Sequence, residues 1–393
     1  MSTQVVVVGS GYAGAGAVKA FEDEIDAGEA ELTWVSEHDY HLVLHEVHRV
    51  IRDPSTESKV TIPVEEIKSP ATRFVEGRVT NVDVEDRTLE TDDGTSLEYD
   101  YLLLAIGSTT AFFGIEGLQE HAHQLKGLED AHDIHREVRE AAAEATQSDP
   151  ARVLVGGAGL SGIQTAGEIA AYRDKHRAPI DVTLIEGLDE VFPGNDPEVQ
   201  GALRKRLENA DIEILTGDFI SKADAESVYL GGGEDEDPEE LPYDVLVWTG
   251  GITGQPELEG VDVEMDDRSN RVIAESDFTT SDERVFAIGD TALVSQGGDD
   301  VAPPTAQAAW QAAEVAGENL ARAARGAPLK TWRHEDKGTV ISVGDAAVAH
   351  DVTGVPINTF GGPAAKLLKK GIASRWIAKV SSPGRGVSAF GDM

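Results

Sequence analysis

The chain has 393 residues and a formal net charge of −39, with 72 acidic against 33 basic side chains. Its length allows two or three domains with ample core, and a 40% apolar content excludes wholesale disorder. The charge excludes nucleic acid as a natural partner, and the absence of cysteine removes disulfides, thiolate–metal sites and redox-active thiol pairs.

The acid excess, with 13 Lys beside 20 Arg, reads as a surface adapted to concentrated salt, where screening shortens self-repulsion. Met1–Gln4 runs straight into Val5–Val8, with no signal-peptide pattern, and no stretch approaches the ~20 apolar residues of a membrane span. A cytosolic protein, or one held on the cytosolic face of a membrane, is expected.

In chain order, the strand-sized run Val5–Val8 leads into Gly9-Ser10-Gly11-Tyr12-Ala13-Gly14 and a helix-compatible stretch. A second strand, 32–36, then ends at Glu37. The pattern recurs. Strand 152–155 leads into Gly157-Ala158-Gly159-Leu160-Ser161-Gly162, a helix, and strand 181–185 ending at Glu186. The acid lies 23 residues past the third glycine in the first copy and 24 in the second. The first glycine permits the turn, the second admits a pyrophosphate to the backbone, and the third lets helix and strand pack closely. The helix N-terminus offers free N–H groups to the phosphates, and the acid accepts from a ribose hydroxyl. One such motif is weak evidence; two in the same strand–turn–helix–strand–acid setting point to two dinucleotide modules.

Both copies also end alike, in the buried-strand runs 99–106 and 243–249, which stop at Gly107 and at Gly250-Gly251. Glu186 is followed by Gly187-Leu188, with no Arg to hold a 2′-phosphate, so the second copy favours NADH over NADPH. Strand 285–288 ends in Gly289-Asp290, an Asp suited to a flavin ribityl hydroxyl or to an ordinary turn. Pro303-Pro304-Thr305 starts a helix that is alanine-rich from Ala306 on, with Gln307 and Gln311 on one face. The acidic run 231–240 reads as a solvated hairpin loop. His38, His41, His45, His48, His121, His123, His132 and His135 read as surface residues, and no metal site is expected.

The tail reverses the charge. From Pro363 to Gly391 there is no acid, but Lys366, Lys369, Lys370, Arg375, Lys379 and Arg385 are present. Leu368, Ile372, Trp376 and Val380 recur every four residues as an apolar helical stripe. Two readings stand: a helix lying on anionic lipid, or an arm docked on the acidic body or on a second subunit. Every fingerprint glycine and Asp290 precede residue 363, so the cofactor site is expected to survive loss of the tail.

These residues resemble the two-dinucleotide-domain flavoprotein reductases, and most closely the type II NADH:quinone oxidoreductases. Asp39-Tyr40-His41-Leu42, Phe112–Gly117 and above all the AQxAxQ-like Ala306-Gln307-Ala308-Ala309-Trp310-Gln311 carry the likeness. The resemblance implies an α/β fold with FAD in the first module (1–112 and 283–325), NADH in the second (113–282), and a C-terminal strand-plus-basic-helix region (326–393). It implies hydride transfer from NADH to flavin, then electrons to a membrane quinone, with a possible homodimer. It places Gly9, Gly11, Ala13, Gly14, Glu37, Val79, Ala105, Gly107, Asp290, Thr305 and Ala306 at the flavin. Gly157, Gly159, Gly162, Glu186 and Gly251 fall at NADH. Gln307, Gln311, Gln164 and Glu168 are the candidate catalytic residues. Gln164 stands where the family has Glu and cannot carry a titrating proton. Glu168, one helical turn on, either compensates or is a plain helix-surface acid. A soluble reductase for an electron carrier and a non-enzymatic flavin-bearing sensor remain as alternatives.

Overall fold

The computed structural model describes residues 2–232 and 237–392, which leaves the centre of the acidic run 231–240 outside the described residues. Strand β1 (Thr3–Val8) enters helix α1 (Tyr12–Glu24), followed by β2 (Ala30–Ser36), β3 (Arg73–Glu76) and β4 (Tyr101–Leu104). The chain then leaves for a second sheet: β5 (Ala151–Gly156), α2 (Leu160–His176), β6 (Ile180–Glu186), β7 (Ile212–Thr216) and β8 (Val245–Trp248). It returns through β9 (Val285–Ala287), which pairs with β4 and completes a five-stranded parallel sheet of order β9-β4-β1-β2-β3. The second sheet is parallel too, of order β7-β6-β5-β8.

Val5–Val8 are at most 2% exposed, because helices cover both faces of a parallel sheet. In each module a three-stranded antiparallel sheet precedes a central strand: 79–98 precedes β4 in the first and 220–242 precedes β8 in the second. A short antiparallel pairing of Ser108–Thr110 with Ile252–Gly254 joins the modules.

Helix α3 (Ala306–Ala324) lies against α1, and its small residues are the reason. A methyl at Gly16 would come within 2.7 Å of Ala313 Cβ, and one at Gly317 within 2.4 Å of Ala17 O. The three-stranded sheet 339–361 and helices α4 (Pro363–Val380) and α5 (Pro383–Asp392) end the fold. No helix among the described residues is long and apolar enough to cross a membrane.

The tail corrects the stripe reading. Trp376 and Val380 are fully buried, while Ile372 is 39% exposed. The Trp376 ring packs 4.9 Å from Tyr12 and 4.7 Å from Trp310, facing the body. The basic side chains do the same. Lys366 pairs with Asp345, Lys369 with Glu46, Lys379 with Glu314 and Arg385 with Glu66, while Arg375 lies over the Trp310 ring.

Three histidines also move inward. His41 and His48 are buried and His45 is largely covered, because α4 and the sheet 339–361 close over the irregular 40–52 segment. The surface reading was wrong for these three.

Candidate active site

A single cavity of about 2490 Å³ runs between the two modules. Gly9, Gly11, Ala13, Glu37, Val79, Ala105, Gly107 and Asp290 line it. Thr305, Ala306, Gln307, Gln311 and Gln164 line it too. Gly14, Gly157, Gly159, Gly162, Glu186, Gly251 and Glu168 lie outside it.

The fingerprint loops are geometric twins. Gly9 has φ +105° and Gly157 +93°, the left-handed turn that a side chain resists. A methyl at Gly14 would meet Gly9 O at 1.9 Å, and one at Gly162 would meet Gly157 O at 1.7 Å. At Gly11 and Gly159 a methyl would meet nothing within 4 Å, so backbone faces open space at the helix start. Neither α1 nor α2 has a side-chain cap, which leaves their first N–H groups for an anion. These features fit a dinucleotide in both loops.

The two acids differ. Glu37 is exposed at the cavity rim. Glu186 is 9% exposed, and its carboxylate is aimed by two backbone donors, Ala158 N at 2.8 Å and Leu188 N at 3.1 Å. Beside it, the largely exposed Phe219 ring lies against Gly187.

Asp290 accepts from Ser108 Oγ at 3.2 Å, and Ser108 accepts from Lys126 Nζ at 2.9 Å. Burial holds the Lys126 amine below its usual pKa. Arg271 donates to the Asp290 carbonyl at 2.8 Å, and Thr291 Oγ1 accepts from Gly107 N. Lys126 and Arg271 carry no motif, and the sequence reading passed over both.

Thr305 caps α3 by accepting from Ala308 N at 3.2 Å. Gln307 and Gln311 share a face, as their spacing requires, and bond to each other at 3.3 Å. Their remaining hydrogen bonds clamp a loop. Gln307 accepts from Lys337 N and donates to Gly338 O, while Gln311 accepts from Glu335 N and donates to Glu335 O.

Next to Gln164 lies a buried polar cluster. Gln164 Nε2 donates to Ser342 Oγ at 3.3 Å, and Lys369 Nζ donates to the same hydroxyl at 2.6 Å. Lys369 also meets His48 Nε2 and Glu46, each at 3.3 Å. Glu168 pairs with Arg52 at 2.9 Å, and burial pushes its carboxyl up to about 7 despite the nearby Arg52, Lys369 and Arg49. Desolvation lowers the Lys369 amine, holds His45 at about 4 and lowers His48 well below its usual value. Glu46, Glu168, Ser342 and Lys369 also line a second cavity of about 140 Å³, which reaches the exposed Lys366. Glu168 is thus a buried acid and no helix-surface residue. The cluster stands between two cavities, with Lys369 lining both.

Known proteins share this fold. A type II NADH:quinone oxidoreductase of Staphylococcus saprophyticus is 27% identical over 97% of this chain and 96% of its own length. The structure of NDH2 from Plasmodium falciparum in complex with NADH superposes with TM-score 0.85 at 16% identity, over 99% of this chain and 98% of that one. The sulfide:quinone oxidoreductase of Aquifex aeolicus follows at 0.79 and 17%, over 98% and 93%. The family model described as pyridine nucleotide-disulphide oxidoreductase matches residues 3–313, and the chain belongs to that family while lacking any cysteine for its disulphide chemistry.

Proposed function

We propose that the protein is a flavin-dependent NADH:quinone oxidoreductase, with FAD in the first module, NADH in the second and quinone beside the α3 start. The observation that carries this is the continuity of one cavity from Gly9 and Glu37 to Gln164 and Gln307. The full-length relative named for that activity supports it. Bound FAD would supply a carrier that takes a hydride from NADH and passes two electrons on. The chain's own groups do the rest. Gly9–Gly14 and the α1 N-terminus hold the pyrophosphate, Glu37 a ribose hydroxyl, and Asp290, aimed by Arg271, a ribityl hydroxyl. Glu186 accepts from the NADH ribose and repels a 2′-phosphate. The Gln307–Gln311 pair fixes the 335–338 loop as the wall of the quinone end.

Making a hydroquinone requires two protons at that end. Gln164 cannot supply one, so the Glu168 carboxyl holds a proton near neutral pH. Lys369, whose charge is felt by Glu168, donates to Ser342 Oγ, which also accepts from Gln164 at the cavity. Membrane contact rests in this reading on Leu367, Val387 and Phe390, exposed on the two tail helices, since most tail cations are engaged with the body. In this reading the protein works peripherally on the cytoplasmic face of the cell membrane, where lipid-dissolved quinone and cytosolic NADH meet. Anaerobic mixing in high salt should show NADH bleaching the flavin and a short-chain quinone restoring its colour. Bleaching reversed by ferredoxin and not by quinone would replace this reading with a soluble carrier reductase.

A further inference from the structure

The tail meets the body at one place with direct bearing on the first phosphate loop. Trp376 is fully buried and donates its indole N–H to His41 Nε2 at 2.8 Å. His41 in turn donates from Nδ1 to the carbonyl of Ser10, inside the Gly9–Gly14 loop, at 2.7 Å. Burial holds His41 at about 4, so its ring is neutral and both of its nitrogens are committed. Ser10 is tied on its other side by Ser36, whose hydroxyl lies 2.8 Å from Ser10 Oγ, and by its own bond to Tyr40 O. The indole also packs on Tyr12, and a methyl at Gly16 would lie 3.3 Å from it. A loop that binds phosphate through backbone N–H groups works only if its peptide planes are held in place.

We propose that Trp376 is a positioning residue of the flavin site: through His41 the tail helix holds the Ser10 peptide, and flavin retention depends on it. The proposal rests on the first module being the flavin module. It reverses the expectation that the site survives loss of residues 363–393.

The test uses the full chain in high salt. Deleting the tail uncovers Tyr12 and Trp310 and risks misfolding, so the decisive variant is Trp376→Phe, which keeps most of the ring and removes the donor. FAD dissociation constants are measured by titrating deflavinated protein, and melting temperatures are taken with and without saturating FAD. Trp376→Phe should weaken FAD about three- to tenfold, the scale of one buried hydrogen bond, and narrow the FAD-induced rise in Tm. Lys366→Ala cuts a tail anchor on Asp345, within the C-terminal region itself, and should leave FAD affinity unchanged. Equal lowering of both melting temperatures with an unchanged FAD constant would overturn the proposal and leave Trp376 a core residue. If the intact protein takes up no FAD at all, the flavin reading fails first, and the proposal falls with it.

Discussion

The two modules begin from the same pattern and end in different electrostatic settings. In the second, the ribose acid Glu186 is buried and oriented by two N–H groups of its own module, Ala158 in the phosphate loop and Leu188 just past the strand. In the first, Glu37 stands exposed, and order is imposed on the phosphate loop from outside, by His41 and Trp376. One site is therefore self-contained, and the other is assembled from segments distant in sequence. A fingerprint specifies the turn; the surroundings decide how firmly it is held.

The largest test of this difference is steric. Gly14→Ala and Gly162→Ala each drive a methyl into a carbonyl less than 2 Å away. The first should give protein without flavin. The second should keep its flavin but lose at least ~100-fold in NADH bleaching, an interaction worth ~3 kcal/mol or more. Identical phenotypes would end the distinction between the modules.

Next in size is Glu168→Gln. It should slow reoxidation by quinone about a hundredfold, the low end of general acid catalysis, and leave reduction by NADH within about twofold. In the intact protein that half-reaction should fall as pH rises through about 7, where Glu168 loses its proton. An unchanged pH profile in the variant would remove Glu168 from the chemistry.

A smaller effect distinguishes the nucleotides. Glu186 should disfavour NADPH by about tenfold in kcat/KM, or ~1.4 kcal/mol. Glu186→Gln should close most of that gap by easing the repulsion. A gap of the same size in the variant would assign the preference elsewhere.

The smallest effect is on stability against pH. Buried His41 and His45 titrate near 4, and burial with nearby Lys369 also holds His48 well below its usual value, against about 6.5 when unfolded. Their depressed values favour the fold above 6.5 and give that stability up as pH falls toward 4. Glu168 acts oppositely: its raised value favours the fold below about 4.5, and that contribution is lost as pH rises through 7. Three histidines outweigh one acid, so the melting temperature should fall between pH 6.5 and 4.5. It should fall more steeply in Glu168→Gln, as melting curves across that range would show.

Much of this architecture was readable from local pattern. The Val5–Val8 run, the glycine spacings and the closing acids are set within about 30 residues of one another, and backbone sterics alone dictate them. The tail helix was readable as a helix, but its inward face was not. Lys369 lies beside the apolar stripe and is buried because Glu46, more than 300 residues earlier, lies opposite it. The histidines of 41–48 sit in short irregular elements with no period to mark a buried face. The glutamine pair was readable as a shared helix face; its partner loop at 335–338 has no pattern pointing back to it.

The span between His41 and Trp376, 335 residues, also sets an order of events during synthesis. Chains emerge N-terminus first, and contacts between distant segments close late. The second sheet draws all its strands from residues 151–248 and completes while the ribosome is still at work. The first sheet waits for Val285–Ala287, and its phosphate loop waits until Trp376 has left the exit tunnel. In a chain read from its beginning, the first nucleotide loop to be translated is the last to be finished.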